Sequence, residues 1–368
     1  MSKKIKIFDL KFTNKQINFF LKNSRNIFSD GFFTNYKYVK LFEKEFLKFN
    51  HSNYALATSS GTSALEVILR AINIKKKKVL VNSNTFIATG HAITNAGGFI
   101  IPVDIEDKYF LMCPKDLERK ISKEVGAVII VHIGGLISPN IIKIIEICKK
   151  FNIPLVEDAA QAQGSHYKNI YAGNFGIAGA FSFYTTKVMT TGEGGMITTN
   201  NIEFYKKCFS LRQFGMDINN NILHNEISSN FKLSEFSALL GLLELKRVKK
   251  RIDKRNKISK KYYSILNKNK NFNLLTSNGD FFCNYYKQII ISKIKRSKIE
   301  SIFKKKKISL TGGVYYSPLH KQPIYKKILS KYNLKITDYF CDNHFCPPCY
   351  PELSFKQIKK IANILNNI

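Results

Sequence analysis

Short apolar runs alternate with helical patterns along the first half of the chain. Strand-like runs cover residues 54–58, 79–81, 99–103, 127–132 and 153–157. Apolar residues between these runs recur at helical spacing, as in the series Leu65, Ile68, Leu69 and Ile72. Alternating strands and helices predict an α/β protein with a mainly parallel sheet flanked by helices. Ligands of such a sheet bind at the carboxyl ends of its strands, so we expect a site there.

A polar turn follows the first of these strands. Ser59, Ser60, Gly61 and Thr62 come directly before an amphipathic helix. The free N–H groups and the dipole of a helix N-terminus attract a phosphate group. A simple N-cap is the alternative for this segment taken alone.

A carboxylate and a lysine follow further along the chain. Asp158 directly follows the strand-like run 153–157, and Lys187, which is 29 positions later (187 − 158), lies in a loop rich in glycine. A lysine amine can form a Schiff base, and an acid can hold a pyridinium proton. Together they are the minimum set for pyridoxal phosphate chemistry. A carboxylate that only caps a turn is the alternative for Asp158.

The two segments that contain these residues resemble a known family. The sequences EDAAQAQGS (157–165) and SFYTTKVMTTGEGG (182–195) are similar to those of the DegT/DnrJ/EryC1/StrS family of sugar aminotransferases. The similarity extends from about residue 33 to the C-terminal helix. It implies an aspartate-aminotransferase-like (PLP type I) fold, with a large coenzyme-binding domain (1–250) and a smaller C-terminal α+β domain (251–368). We place the junction in a solvated helical stretch at 249–261.

The resemblance also implies an activity. The enzyme would be a cytoplasmic homodimer that transfers an amino group, with glutamate as the donor, to a nucleotide-linked 3-keto or 4-keto 6-deoxyhexose for a surface glycan. Relatives that dehydrate the sugar replace the lysine by histidine, so Lys187 favours transamination. Two further functions stay open at this point: a coenzyme-free binding protein, and an aminotransferase for a non-nucleotide ketone such as a keto-cyclitol.

The resemblance assigns roles to the coenzyme-site residues. Lys187 would bind pyridoxal phosphate covalently. Asp158 would stabilise the protonated ring nitrogen, and Gln161 would hydrogen-bond to the ring hydroxyl oxygen. The remaining residues of this set would hold the phosphate or stack on the ring: Gly61, Thr62, Ser182, Phe86 and, from the other subunit, Asn230. Lys232 stands where the family has an arginine, and lysine lacks the bidentate geometry of arginine.

Further positions resemble the substrate side of the family's site. Tyr316 and His320 match its Tyr-x-Pro-x-His motif, and His132 is either a ligand contact or a structural hydrogen-bonding residue. Gly134 replaces an aromatic residue, so we expect the 134–135 corner to leave room for a sugar. Asn35 replaces a glycine, and we expect it to adopt the same positive φ.

Composition excludes some other functions. The net charge is +33 from 59 Lys and Arg and 26 Asp and Glu, but the lysines are scattered and no arginine-rich segment occurs. We therefore expect no nucleic-acid partner; the charge suits an anionic substrate instead. No uninterrupted apolar run approaches about 18 residues, so we expect no membrane partner.

The seven cysteines are an odd number spread over a long chain, which predicts reduced thiols. Four potential zinc ligands lie close together at Cys341, His344, Cys346 and Cys349. A single knuckle of this kind is a weak signal, so zinc is the alternative and we expect no metal.

Overall fold

The computed structural model describes residues 4–220, 222–310 and 313–368. Its helices are α1 (Asn14–Asp30), α2 (Lys37–Asn50), α3 (Gly61–Ile72), α4 (Ile87–Asn95), α5 (Pro114–Lys120), α6 (Ile141–Lys150), α7 (Ile202–Arg212), α8 (Glu235–Leu266), α9 (Arg296–Lys305), α10 (Pro323–Leu329), α11 (Lys335–Asn343) and α12 (Phe355–Asn366). Its strands are β1 (Tyr54–Thr58), β2 (Lys78–Asn82), β3 (Phe99–Val103), β4 (Val125–Val131), β5 (Leu155–Asp158), β6 (His166–Tyr167), β7 (Ile170–Tyr171), β8 (Ala178–Ser182), β9 (Gly195–Thr199), β10 (Phe272–Leu274), β11 (Phe281–Phe282), β12 (Ile290–Ser292) and β13 (His344–Phe345).

A seven-stranded sheet in the order β1-β9-β8-β5-β4-β2-β3 forms the centre of the fold. The pairs from β8 to β3 are parallel, whereas β9 runs antiparallel to both β8 and β1. The prediction of a mainly parallel sheet is therefore confirmed. The expected strands 54–58 and 99–103 have the predicted ends.

Strand β4 shows why this sheet must be covered on both faces. All seven of its residues are buried. Ala127, Ile129 and Val131 belong to one hydrophobic core, and Val128 and Ile130 belong to a second. Because successive strand residues point to opposite faces, each core packs against one face of the sheet.

Helix α8 connects this sheet to the C-terminal part of the chain. It is 32 residues long and runs without interruption through the predicted boundary at 250/251. The prediction that 249–261 is simply solvated is wrong, because Ile252, Arg255 and Ile258 are buried there. The division into two domains stays a prediction. After α8, the small antiparallel sheet β10-β12-β13 is accompanied by helices α9 to α12.

Candidate active site

A cavity of about 470 Å³ lies where strands β5 and β8 end and helices α3 and α4 begin. Seven of the predicted coenzyme-site residues line it: Gly61, Thr62, Phe86, Asp158, Gln161, Ser182 and Lys187. The carboxyl ends of parallel strands meet at one edge of a sheet, which explains how residues more than a hundred positions apart converge.

One end of the cavity is built to bind an anion. The hydroxyl of Ser60 caps helix α3 by accepting the N–H of Ser63 at 3.0 Å. The N–H groups of Gly61 and Thr62 come earlier in the first turn and have no intrahelical acceptor. A Cβ at Gly61 would lie 2.7 Å from the Cβ of Ser182, so only glycine lets the helix start approach strand β8 this closely. The arrangement brings two free N–H groups and a hydroxyl to one place, which suits a phosphate.

Asp158 lines the cavity and is only 6% exposed. Its Oδ2 accepts the hydroxyl of Thr89 at 2.7 Å, and its Oδ1 accepts the N–H of Ala160 at 3.2 Å. Burial raises the pKa of Asp158, although these hydrogen bonds and the charge of Lys187 act in the opposite direction. A protonated ring nitrogen would supply a cationic partner directly against this carboxylate. Asp158 therefore fits the pyridine ring of the coenzyme.

Lys187 faces an aromatic residue that the sequence did not single out. Its Nζ lies 4.8 Å from the centre of the Tyr286 ring, and the Tyr286 hydroxyl lies 3.1 Å from Oγ1 of Thr186. Burial acts to raise the pKa of Tyr286, but the positive charges of Lys187 and Lys287 outweigh it, and the pKa is lowered. No motif marks Tyr286, because it follows Lys187 by 99 positions (286 − 187).

Gln161 is held at the side of the cavity by two contacts. Its Oε1 accepts the N–H of Gly134 at 2.7 Å, and its Nε2 donates to the hydroxyl of Tyr315. The amide nitrogen carries a second hydrogen that can still reach a ligand oxygen. Tyr315 also stacks on Phe86, with ring centres 6.0 Å apart, and was likewise absent from the prediction.

None of the three predicted substrate-binding residues is among the described residues that line this cavity. His132 is completely buried, and its Nε2 lies 2.9 Å from Oε2 of Glu157, which favours structural hydrogen bonding over ligand contact. The Nδ1 of His320 lies 2.8 Å from the Ser83 hydroxyl, and burial lowers the pKa of His320. Tyr316 packs under the guanidinium of Arg296, 3.7 Å from the ring centre.

Asn230 is likewise not among the described residues that line the cavity of its own chain. Its side chain is exposed, and its Oδ1 accepts the N–H of Lys232 at 3.3 Å. The Nζ of Lys232 lies 4.7 Å from the Phe214 ring centre. Burial and the charge of Arg212 lower the pKa of Lys232. This surface position is compatible with a contact to another chain.

The glycine corner at 134–135 is packed. Both glycines are buried, and a Cβ at Gly134 would lie 2.8 Å from Cδ1 of Ile289. Asn284 fills the space at Gly135 in the same way. The expectation that this corner leaves room for a sugar is therefore wrong. The expected positive φ of Asn35 is confirmed, at 55°.

The cysteine-rich segment near the C-terminus forms part of the core. All seven cysteines are free thiols. In the parts of the chain that the structure describes, no group of three or more His, Cys, Asp or Glu residues could hold a metal ion. The ring of His344 lies instead between two backbone groups, the Phe340 carbonyl at 2.7 Å and the Val314 N–H at 3.0 Å. Burial lowers the pKa of His344 to about 4.

No helix in the described residues is long and apolar enough to cross a lipid bilayer.

Curated relatives align with most of the chain. GDP-perosamine synthase of Escherichia coli O157:H7 is 32% identical over 337 residues, which are 89% of each chain. UDP-4-amino-4,6-dideoxy-N-acetyl-beta-L-altrosamine transaminase of Campylobacter jejuni strain 81-176 is 30% identical over 347 residues, 92% of each chain.

Solved structures have the same fold. S. venezuelae DesV superposes with a TM-score of 0.93 at 23% identity, over 100% of this chain and 98% of DesV. PseC of Helicobacter pylori, described as an aminotransferase of pseudoaminic acid biosynthesis, gives 0.90 at 23% identity, over 99% of each chain. At this identity the two structures establish the fold, which confirms the predicted aspartate-aminotransferase-like architecture.

A protein-family model matches nearly the whole chain. The model of the DegT/DnrJ/EryC1/StrS aminotransferase family matches residues 14–366. The coenzyme of this family is pyridoxal phosphate, which the cavity residues fit. The chain is therefore a member of the DegT/DnrJ/EryC1/StrS family of pyridoxal-phosphate-dependent aminotransferases.

Proposed function

We propose that this aminotransferase converts a nucleotide-linked 3-keto or 4-keto 6-deoxyhexose into the corresponding amino sugar, with glutamate as the amino donor. The observation that carries the proposal is the placement of Lys187 and Asp158 on one cavity beside the start of helix α3. The names of the two curated relatives, a GDP-sugar synthase and a UDP-sugar transaminase, support the substrate class. The net charge of +33 suits a substrate that carries two phosphates.

The cavity residues divide the chemistry among them. When bound, the coenzyme supplies an electron sink for the charge left on carbon after deprotonation. Asp158 would hold a proton on the ring nitrogen, and Gln161 would donate its free N–H to the ring oxygen. The amine of Lys187 would take the proton from the donor's α-carbon and deliver it to the C4′ carbon of the coenzyme, acting as general base and then as general acid. Phe86, which is 56% exposed, would cover the ring.

The phosphate would be held by the start of helix α3. The N–H groups of Gly61 and Thr62 and the hydroxyl of Ser182 would donate to its oxygens. Such hydrogen bonds to an ion are each worth about 1.5–3 kcal/mol, so this end would supply much of the coenzyme affinity. Tyr316, His320 and His132 would bind the substrate. Because His132 is completely buried, it could contact the substrate directly only if the residues around it moved.

We further propose a homodimer in which Asn230 completes the phosphate site of the other subunit. The segments 28–34 and 213–234 are joined by a bridge between Thr34 and Ser234, and a second bridge, between Gln213 and Asn230, lies within the latter segment. They expose several large apolar side chains, which supports an interface: Phe28, Phe32, Phe33, Phe214 and Ile227. Mixing Asn230→Ala protein with Lys187→Ala protein would restore part of the activity, because one site of each hybrid is intact. A fully active monomer in sedimentation would contradict the proposal. We place the dimer in the cytoplasm and its product in a surface glycan such as lipopolysaccharide or capsule.

The substrate is tested by loading the enzyme with pyridoxamine phosphate and offering nucleotide keto-sugars one at a time. An accepted substrate restores the absorbance of the lysine-linked coenzyme, and NMR locates the new amine at C3 or C4. Recovery with a free keto-cyclitol but with no nucleotide sugar would disprove the substrate class. A dehydrated product without a new amine would disprove transamination.

A further inference from the structure

Tyr286 is placed to act on Lys187. Its ring forms part of the cavity wall, and the lysine Nζ lies 4.8 Å from the ring centre. This is within the range at which a cation is attracted to an aromatic face. The Tyr286 hydroxyl lies 3.1 Å from the hydroxyl of Thr186, the residue before the lysine. The ring therefore faces the lysine nitrogen, and its hydroxyl is hydrogen-bonded to the side chain of the residue before the lysine.

The backbone of Tyr286 is fixed from two sides. Its N–H donates to Oδ1 of Asn284 at 2.8 Å, and its carbonyl accepts Nη1 of Arg255 at 3.2 Å. Asn284 in turn donates to the carbonyl of Gln161 at 2.9 Å, which belongs to the loop that follows Asp158. Tyr286 is 9% exposed. A ring held in this way can position a flexible lysine side chain without itself being ordered at each turnover.

We propose that Tyr286 is the positioning residue of Lys187, and that its ring and hydroxyl hold the lysine nitrogen over the cavity whenever the nitrogen is positively charged. This inference rests on the proposed role of Lys187 in moving the proton. A C–H bond of the donor breaks as an N–H bond forms on Lys187, and the nitrogen becomes cationic. That N–H bond would then break as a C–H bond forms at the C4′ carbon of the coenzyme, so the proton count is unchanged. Tyr286 faces the nitrogen in its charged state between these two events.

The charges around the ring agree with this role. Lys187 and Lys287 have their Nζ atoms 4.8 and 5.3 Å from its centre, and Arg255 binds its backbone. These positive charges lower the pKa of Tyr286 against the effect of burial. The ring therefore lies among positively charged groups, of which Lys187 is the nearest to its centre. Asp158 and Glu193 are the carboxylates among the described residues that line the cavity.

The test compares Tyr286→Leu, which removes ring and hydroxyl, with Tyr286→Phe, which removes the hydroxyl alone. Tyr285→Phe is the matched control, because Tyr285 is 5% exposed but its hydroxyl lies 3.2 Å from Ser277 instead. The first readout is the absorbance of the coenzyme-loaded enzymes against pH. Removing a cation–π contact should move the midpoint of the lysine–coenzyme linkage to lower pH by about 0.4–1.5 units in Tyr286→Leu. Tyr286→Phe should shift in the same direction by less, and Tyr285→Phe should not shift.

The second readout is the half-reaction with glutamate, in ordinary form and deuterated at Cα. Tyr286→Leu should slow it by about 10–100-fold at unchanged KM and enlarge the isotope effect, since proton transfer becomes slower relative to the other steps. Neither readout needs a nucleotide sugar, so an incorrect substrate assignment would leave both intact. A midpoint in Tyr286→Phe that rises or stays at the wild-type pH overturns the proposal. An equal shift in Tyr285→Phe also overturns it, because the effect would then be a general one.

Discussion

Replacing Gly61 by alanine should damage the anion-binding end of the cavity. The new Cβ would lie 2.7 Å from the Cβ of Ser182 and 3.2 Å from the carbonyl oxygen of Phe181. Carbon atoms pack best at about 3.5–4.0 Å, so the helix start must move from strand β8 by roughly 1 Å. The Ser182 Cβ cannot swing aside, because it is bonded directly to the strand backbone.

The magnitude follows from two opposing effects. Overpacking of this kind costs about 1–3 kcal/mol, and the better helix propensity of alanine returns at most about 1 kcal/mol. We therefore expect the coenzyme-free protein to lose up to about 3 kcal/mol of unfolding free energy. The displacement also separates the N–H groups of Gly61 and Thr62 from Ser182. Loss of one hydrogen bond to the phosphate, about 1.5–3 kcal/mol, would weaken coenzyme binding by roughly 10–100-fold.

Gly90→Ala is the matched control for this prediction. For a Cβ at Gly90, within helix α4, the three nearest atoms belong to the side chains of Tyr325, Leu319 and Ile100, at 3.0–3.3 Å. These side chains can move by a few tenths of an ångström, so we expect a change in stability below about 1 kcal/mol and unchanged coenzyme affinity. Urea unfolding gives the stability, and equilibrium dialysis gives the affinity. Coenzyme binding by Gly61→Ala within threefold of wild type would refute the reasoning.

Three further predictions concern buried polar groups. Glu157→Gln should lower the unfolding free energy by about 2–4 kcal/mol, because the Glu157 carboxylate accepts the N–H groups of Gly173 and Phe175 at 2.6 Å; a loss below about 0.5 kcal/mol in urea unfolding would contradict this. Thr89→Val removes the hydroxyl that donates to Asp158, so the pKa of Asp158 should rise further. The acid limb of the pH profile of kcat/KM should then move to higher pH. An acid limb at the wild-type pH would show that Asp158 does not control this limb. The pKa of His344 is about 4 in the folded protein and about 6.5 when unfolded, so stability should fall by roughly 1.4 kcal/mol per pH unit from pH 6.5 down to 4 through this residue. His344→Gln should reduce the measured slope by that amount, and an unchanged slope would exclude His344 as its source.

Local sequence determined the central part of the site. Asp158, Gln161 and Lys187 belong to short segments whose residues stay together when the strands end at one sheet edge, so their placement on one cavity could be predicted. Strands of the sheet could be predicted for the same reason, because each is a local apolar run bounded by turns. The roles of these residues in catalysis stay predictions, which the variants of Thr89 and Lys187 test.

Contacts between distant segments could not be predicted. Tyr286 reaches the cavity from a loop that carries no motif of its own, and Tyr315 lies one position before the Tyr-x-Pro-x-His motif, which does not include it. The glycine corner at 134–135 was expected to be open. The residues that fill it, Asn284 and Ile289, are about 150 positions later in the chain, so the local sequence does not reveal them. The abundance of lysine in helix α8 led to the prediction of a solvated segment. The helix nevertheless buries one face, whose residues recur at helical spacing: Ile252, Arg255, Ile258 and Tyr262.

Borohydride reduction of the coenzyme-loaded protein, followed by peptide mass mapping, tests most directly that Lys187 and its cavity form the coenzyme site. Reduction makes the lysine–coenzyme link permanent, so the modified lysine can be identified among the many in this chain. We predict one pyridoxyl group per chain, on the peptide that contains Lys187, and none in Lys187→Ala protein that folds like wild type. A pyridoxyl group on any other lysine of the wild-type protein would contradict the account.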